Sequence, residues 1–160
     1  MNNIYQIEKV DLLSNYYNQS LILREKILRK PLGLVISQEQ IENEKKTNYF
    51  HFIAKSNDRV VSALTMRINK NNIQTCQIAT DNDFRRQGIG KNLLEYGEAY
   101  VSSLIEREEF IVFSRLDSLL FYEKCNYKYK DDKIYLINNL EHRLLSKGVG
   151  CPAPCLTVPF

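Results

Sequence analysis

Three β-rich runs follow one another in the middle of the chain, Phe50–Lys55, Arg59–Ile68 and Ile73–Thr80, and only Ser56-Asn57-Asp58 and Asn69-Lys70-Asn71-Asn72 separate them. Turn formers between runs of this kind predict an antiparallel meander. Behind it, Leu93, Tyr96, Tyr100 and Leu104 return at steps of three and four after Ile89, which predicts an amphipathic helix from Gly88 to about Ile105. Phe110-Ile111-Val112-Phe113 is short and continuously apolar, a pattern suited to a strand buried on both faces beside a parallel neighbour.

The flanks complete the order. Ile4 to Val10 reads as a first strand; Leu13, Tyr17, Leu21, Ile27 and Leu28 recur at near-helical spacing until Pro31-Leu32-Gly33. Ser37 and Gln40 have capping-box spacing and predict a second short helix that fades near Thr47-Asn48. Leu116 to Lys124 reads as a helix, Lys133 to Ile137 as a strand and His142 to Leu145 as another. The order β, α, α, β, β, β, α, β, α, β(β) is that of an α/β (α+β) domain, a mixed sheet with helices on its faces. Three of the four prolines lie in the last nine residues, so the domain is expected over 1–147 and an irregular tail over 148–160.

Composition excludes several classes. A chain of 160 residues and 18.8 kDa suits one domain that buries roughly 70% of its extended surface, and needs no staple. No apolar stretch approaches the roughly 20 residues of a bilayer crossing, and Met1 to Gln6 lacks the cationic start and apolar core of a leader, so a cytoplasmic protein without a membrane partner is expected. Cys76, Cys125, Cys151 and Cys155, with two histidines, match no zinc spacing; free thiols and no metal are expected. A net charge of +3 is too small to indicate nucleic acid as a partner.

The cations are concentrated where they bear on function. Asp81-Asn82-Asp83-Phe84-Arg85-Arg86-Gln87-Gly88-Ile89-Gly90-Lys91 joins a strand to the long helix, and Arg85, Arg86 and Lys91 crowd a helix N-terminus that local electrostatics would reserve for carboxylates. An anion resolves the conflict: glycines admit it to the backbone, free N–H groups donate to it, and the arginines neutralise it. A solvated basic turn is the plainer reading of the same charges. A dinucleotide fingerprint would need glycine at position 93, where Leu93 stands, and a nucleotide-hydrolase loop would need Ser or Thr in place of Asn92.

Arg85-Arg86-Gln87-Gly88-Ile89-Gly90 resembles the Gln/Arg-x-x-Gly-x-Gly/Ala signature of the GCN5-related N-acetyltransferases, the GNAT family. Phe121-Tyr122-Glu123-Lys124-Cys125-Asn126-Tyr127 is similar to the Phe-Tyr-Glu-Lys-Leu-Gly-Phe/Tyr segment that closes that family's acyl-CoA site. Leu23-Arg24-Glu25 and Leu28-Arg29-Lys30-Pro31-Leu32-Gly33 resemble its acceptor-side helix and loop. The resemblance spans about residues 3 to 147. It implies a mostly antiparallel sheet flanked by about four helices, with a central parallel pair of strands, Ile73 to Thr80 and Phe110 to Phe113, splayed apart around acetyl-CoA. The backbone of Ile78, Ala79 and Thr80 would pair with the pantetheine arm, and Arg85, Arg86, Gln87, Gly88, Ile89, Gly90 and Lys91 would wrap the pyrophosphate. A bulge in the first splayed strand would aim an N–H at the thioester oxygen, and one such donor is worth about 3 kcal/mol.

By the same resemblance Tyr122 would protonate the departing sulfur and Phe121 would line the site. Phe113 stands where many members have an asparagine that contacts pantetheine, so that contact is either lost or moved to Ser114. Asn126 replaces a glycine and tolerates the left-handed conformation. For the base, His142 is the candidate, since related enzymes place a histidine near the acceptor; His51, in a strand, reads as structural. Arg24, Arg29 and Lys30 read as solvated, with Arg24 also able to meet an anionic substrate. The expected function is acetyl transfer from acetyl-CoA to a primary amine by direct attack in a ternary complex, in a monomer or homodimer; a non-catalytic acyl-CoA sensor is the alternative, and a nucleic-acid module a third reading.

Overall fold

The structure, a computed structural model, describes residues 4–149. Its elements run β1 (Gln6–Lys9), α1 (Asn15–Arg24), α2 (Gln38–Glu44), β2 (Tyr49–Ser56), β3 (Arg59–Ile68), β4 (Asn72–Thr80), α3 (Ile89–Leu104), β5 (Glu109–Arg115), α4 (Leu119–Lys124), β6 (Lys128–Tyr129), β7 (Tyr135–Ile137) and β8 (Leu140–Gly148). The expected mixed architecture is present: one sheet ordered β1-β2-β3-β4-β5-β8-β6, with β7 also on β8, antiparallel except between β4 and β5.

The meander forms because its turns suit the strand twist. Asn57 and Asp58 both take positive φ (50° and 63°), as do Asn138 and Asn139 (52° and 61°) between β7 and β8. Both central residues of a two-residue hairpin turn need that conformation, and Asn and Asp adopt it more readily than other side chains. Strand alternation then sends Phe52, Leu64 and Met66 to the face covered by α3, while Ile53, Val60 and Ala63 pack with Tyr17 and Leu23 of α1 on the other. Burial on both faces is why apolar residues stand at successive positions, Phe52-Ile53-Ala54 in β2 and Val60-Val61 in β3, rather than at every second one. Each large side chain buried there contributes about 1.5–3 kcal/mol.

Two helices differ from their sequence patterns. The buried stripe of α3 is Ile89, Leu93, Leu94, Gly97, Glu98 and Val101, whereas Tyr96 and Leu104 are 39% and 59% exposed. Gly97 sets this rotation: a Cβ there would lie 2.6 Å from Leu64 Cδ2 and 2.9 Å from Met66 Sδ, so the helix rests its bare backbone on the sheet. Tyr96 and Tyr100 flank the contact, with ring centroids 5.9 and 5.4 Å from that of Phe52. After α1 the coil widens into a π-helical stretch, Glu25–Arg29, and tightens over Lys30–Leu32 before Gly33 ends it at φ 71°.

Ser37 caps α2 as its spacing predicts, accepting from the Gln40 N–H at 3.1 Å, but the reciprocal half of the box is not made. The Gln40 side chain donates instead to Glu44 Oε2 at 2.7 Å. At the far end β8 runs to Gly148, and the Val149 N–H donates to the Glu108 carbonyl at 2.9 Å. Cys151, Cys155 and most of the expected tail lie outside the described residues. No helix among the described residues is long and apolar enough to cross a membrane.

Candidate active site

The site originates in a ladder that stops. β4 and β5 pair in parallel only from Asn72 with Glu109 to Thr75 with Val112. Beyond that rung β4 stays with β3 up to Thr80 opposite Ser62, and β5 stays with β8 up to Arg115 opposite His142. The two strands therefore part between their outer partners, each with one unpaired backbone edge facing the gap. The register explains where they part. Thr65 faces Gln77 while Met66 faces Thr75, so Cys76 is a one-residue bulge in β4 immediately past the last parallel rung. Bulges bend and twist the strand that carries them, which turns β4 away from β5.

The gap is a cleft of about 1090 Å³. Ile78, Ala79 and Thr80 of the free β4 edge line it, as do Arg85, Arg86, Gly88, Ile89, Gly90 and Lys91 at the start of α3, and Ser114, Phe121, Tyr122 and His142 opposite. Of the residues the sequence assigns to cofactor or catalysis, Gln87 is the one outside the wall; its side-chain amide reaches the Asp83 carbonyl at 3.5 Å.

The α3 N-terminus is open and basic. Gly88 is the N-cap at φ 78°, no side chain caps the first turn, and no carboxylate stands in it. Arg86 also takes positive φ (63°), a conformation uncommon for a non-glycine residue and concentrated at functional loops. Asp81, at the start of the loop, is turned elsewhere. It accepts from the Asp83 N–H at 3.0 Å and from Arg59 at 2.9 Å, and burial is outweighed by these bonds in holding its carboxyl below the usual range. The two glycines do different work. A Cβ at Gly88 would meet nothing within 4 Å, leaving the backbone approachable, whereas one at Gly90 would lie 3.2 Å from Thr80 Oγ1 and 3.4 Å from Phe121 Cε1. Gly90 thus lets α3 start against β4 and α4 rather than opening the loop.

On the opposite wall, Tyr122 is 5% exposed and sits between Phe121 and Tyr127, with ring centroids 5.1 and 5.6 Å away. Burial raises its phenol well above the ordinary value, so the hydroxyl keeps its proton throughout the physiological range. α4 ends as Asn126 turns to φ 72° and the Tyr127 N–H returns to the Tyr122 carbonyl at 3.0 Å, fixing the tyrosine at the helix terminus. His142 is 8% exposed, and its Nδ1 lies 2.9 Å from the Leu140 carbonyl. A carbonyl only accepts, so the neutral ring carries its proton on Nδ1 and its lone pair on Nε2. The Ser114 hydroxyl donates to the Arg115 carbonyl at 2.8 Å.

A profile of the acetyltransferase (GNAT) domain matches residues 18–142. The chain belongs to the GNAT acetyltransferase family. Solved structures agree on the fold. The ribosomal-protein-S18-alanine N-acetyltransferase of Escherichia coli aligns at TM-score 0.73 and 13% identity, over 98% of this chain and 100% of that one. The aminoglycoside 6'-N-acetyltransferase of Enterococcus faecium aligns at 0.72 and 17%, over 93% and 99%. A GNAT acetyltransferase of Elizabethkingia anophelis with acetyl-CoA bound aligns at 0.65 and 17%, over 90% and 97%. No curated protein matches the sequence.

Within this GNAT domain the reading of Arg24 and Arg29 as solvated is overturned; Arg29 is half-buried, with its Nε shut off from solvent. Arg24 is not solvated: it is fully buried, 2.8 Å from Glu44 Oε1 and donating to Gln77 Oε1 at 2.8 Å. Its position on the sheet-facing side of α1 demands a partner, and Glu44 of α2 supplies it. His51 is structural, as its strand position suggests. Its Nε2 donates to the Glu44 carbonyl at 2.7 Å, its Nδ1 lies 3.1 Å from Thr65 Oγ1, and burial lowers its basicity. Sequence reasoning missed Glu44, Gln77 and Arg115, which line the far end of the cleft. Nothing local marks them, since they stand on three elements that meet only in the fold.

Proposed function

We propose that the chain moves an acetyl group from acetyl-CoA to a primary amine by direct attack within a ternary complex. The observation that carries this reading is the uncapped, basic N-terminus of α3 at the mouth of a gap between two parted parallel strands. A pyrophosphate suits the free N–H groups of Gly88 to Lys91 and the cations of Arg85, Arg86 and Lys91. The unsatisfied β4 edge at Ile78 to Thr80 suits an extended amide-bearing arm, which would join the sheet as an added strand. One of the compared structures was solved with acetyl-CoA bound, which agrees with this cosubstrate.

Acetyl-CoA supplies a thioester already activated toward amines. The chain's own groups then divide the proton traffic. His142, with Nδ1 committed to the Leu140 carbonyl, takes a proton from the incoming ammonium on Nε2. The attack forms the carbon–nitrogen bond and breaks the carbon–sulfur bond; Tyr122, held protonated by burial, gives its proton to the departing sulfur, and the second proton released by the attacking nitrogen restores the phenol through water. Backbone N–H groups at the Cys76 bulge are the donors for the carbonyl oxygen as charge builds on it.

The test is incubation with acetyl-CoA and a panel of amines, following free thiol and acetylated product together. Equal release of thiol and acetyl-amine supports transfer. Coenzyme A binding without amine-dependent thiol release would instead support a sensor, and absence of both would overturn the reading.

A further inference from the structure

From the parted strands the cleft extends to the α1–α2 connection, where arginines and carboxylates both line it without pairing to one another. Arg29, Arg67 and Arg115 all line it, and none is paired with a carboxylate among the described residues. Arg67 donates only to neutral acceptors, Asn69 Oδ1 at 2.8 Å, Gln74 Oε1 at 2.7 Å and Tyr49 Oη at 3.2 Å. Arg115 donates to the Leu28 carbonyl at 2.6 Å. Arg29 is the least satisfied: its Nε is buried without a partner, and its one bond is to Gln40 Oε1 at 3.3 Å.

The buried carboxylate in this region, Glu44, is taken by Arg24 at 2.8 Å. Glu39 and Asp117 also line the cleft, but both are exposed to solvent, where screening weakens them. Arg29, Arg24 and Arg115 therefore share one buried counter-charge. Burial first, and then the like charge of Arg115, depress the basicity of Arg29, although a guanidinium stays charged regardless. Cations crowded in a half-buried wall with donors to spare are destabilising unless something negative joins them.

We propose that the acceptor end of this cleft recognises an amine that also carries an oxyanion, a carboxylate or a phosphate, and disfavours polycationic amines. Guanidinium groups hold both oxyanions by paired, charge-assisted hydrogen bonds. The assignment rests on the acetyltransferase reading above and adds the acceptor's chemical class. Arg29 supplies the unspent donor and Arg115 the neighbouring charge, while Glu44 stays neutralised by Arg24 and offers a second ammonium little attraction.

The experiment compares matched acceptors at saturating acetyl-CoA: L-lysine against L-lysinamide, phosphoethanolamine against ethanolamine, and kanamycin as the polycation. The first pair reports a carboxylate, the second a phosphate. The member of at least one pair that carries the oxyanion is expected to show a kcat/KM about 10-fold or more above the counterpart that lacks it, the scale of one charge-assisted hydrogen bond. Arg29→Gln is expected to erase most of that ratio through the acceptor KM while leaving the acetyl-CoA KM within about 3-fold. The pair comparison uses the unmodified chain, so it decides even if the variant is unstable. Equal rates within both pairs, faster turnover of the members that lack the oxyanion, kanamycin as the best acceptor, or no turnover of either oxyanion-bearing amine by a chain that binds coenzyme A each overturns the assignment. Failure to bind coenzyme A overturns the underlying reading and this one with it.

Discussion

Arg24 and Glu44 meet at 2.8 Å with 1% and 4% of their side chains exposed, tying α1 to the end of α2 beneath the acceptor end of the cleft. Arg24 Nε and Nη2 and Glu44 Oε1 make no aligned hydrogen bond, so the contact is chiefly one of charge. Such pairs gain little over an apolar substitute, but removing one partner strands the other. Arg24→Met is therefore expected to cost about 3–5 kcal/mol in urea unfolding, and Arg24→Met with Glu44→Leu markedly less than the single change. A double variant as unstable as the sum of the two singles would show that the charges do not interact.

The open N-terminus of α3 gives a sharper test of cofactor binding. Gly88→Ala adds a Cβ with nothing within 4 Å but forces it into φ 78°, an expected cost of about 1 kcal/mol in stability. Gly88→Glu adds a carboxylate where the proposed pyrophosphate sits. Coenzyme A affinity, measured by calorimetry on folded protein, is expected to fall at least 100-fold for the glutamate variant and far less for alanine. Undiminished affinity in Gly88→Glu would remove the cradle from this loop.

Tyr122 and His142 divide two proton transfers in the proposed reaction and are separable by kinetics. Tyr122→Phe preserves the ring packing against Phe121 and Tyr127, so the acetyl-CoA KM is expected to hold within about 3-fold while kcat drops ~10²- to 10⁴-fold. Because burial raises the Tyr122 phenol, the wild-type rate is not expected to fall between about pH 8 and 10 through ionisation of this residue. His142→Ala is expected to lose about 10²-fold in kcat and to regain part of it with added imidazole. A tyrosine variant with full kcat would favour water as the proton donor.

These tests fall where the sequence was readable. The meander, the basic loop and the Tyr122 segment were legible because each is local: turn formers at hairpins, cations at a helix start, a short helix closed by Asn126. The bulge was expected, but its position at Cys76 depends on the register of β3 against β4, which no single segment encodes. The same holds for the rotation of α3 about Gly97, where a glycine within a helical pattern looks like a local weakness and is a point of close packing. Arg24 was misread for a related reason. A cation on an amphipathic helix is normally solvated, and only the fold brings Glu44 and Gln77 to it.

A second buried carboxylate makes stability depend on pH. Glu98 of α3 accepts from Tyr127 Oη at 2.5 Å and from Lys147 Nζ at 2.6 Å, yet burial outweighs both bonds and raises its carboxyl above the ordinary glutamate value. The native state then binds this proton more tightly than the unfolded chain, so the group's contribution to stability declines as pH rises from the ordinary glutamate value through the raised one. Lys147→Met removes the cation that offsets the buried charge. It is expected to cost about 3 kcal/mol at pH 7 and much less at about pH 4, where Glu98 is protonated in the folded variant. Urea unfolding of both proteins at the two pH values checks it. An equal loss at both would mean that Lys147 acts through its packing over Phe110 and Tyr127, whose ring centroids lie 5.8 and 5.2 Å from its Nζ, rather than through Glu98.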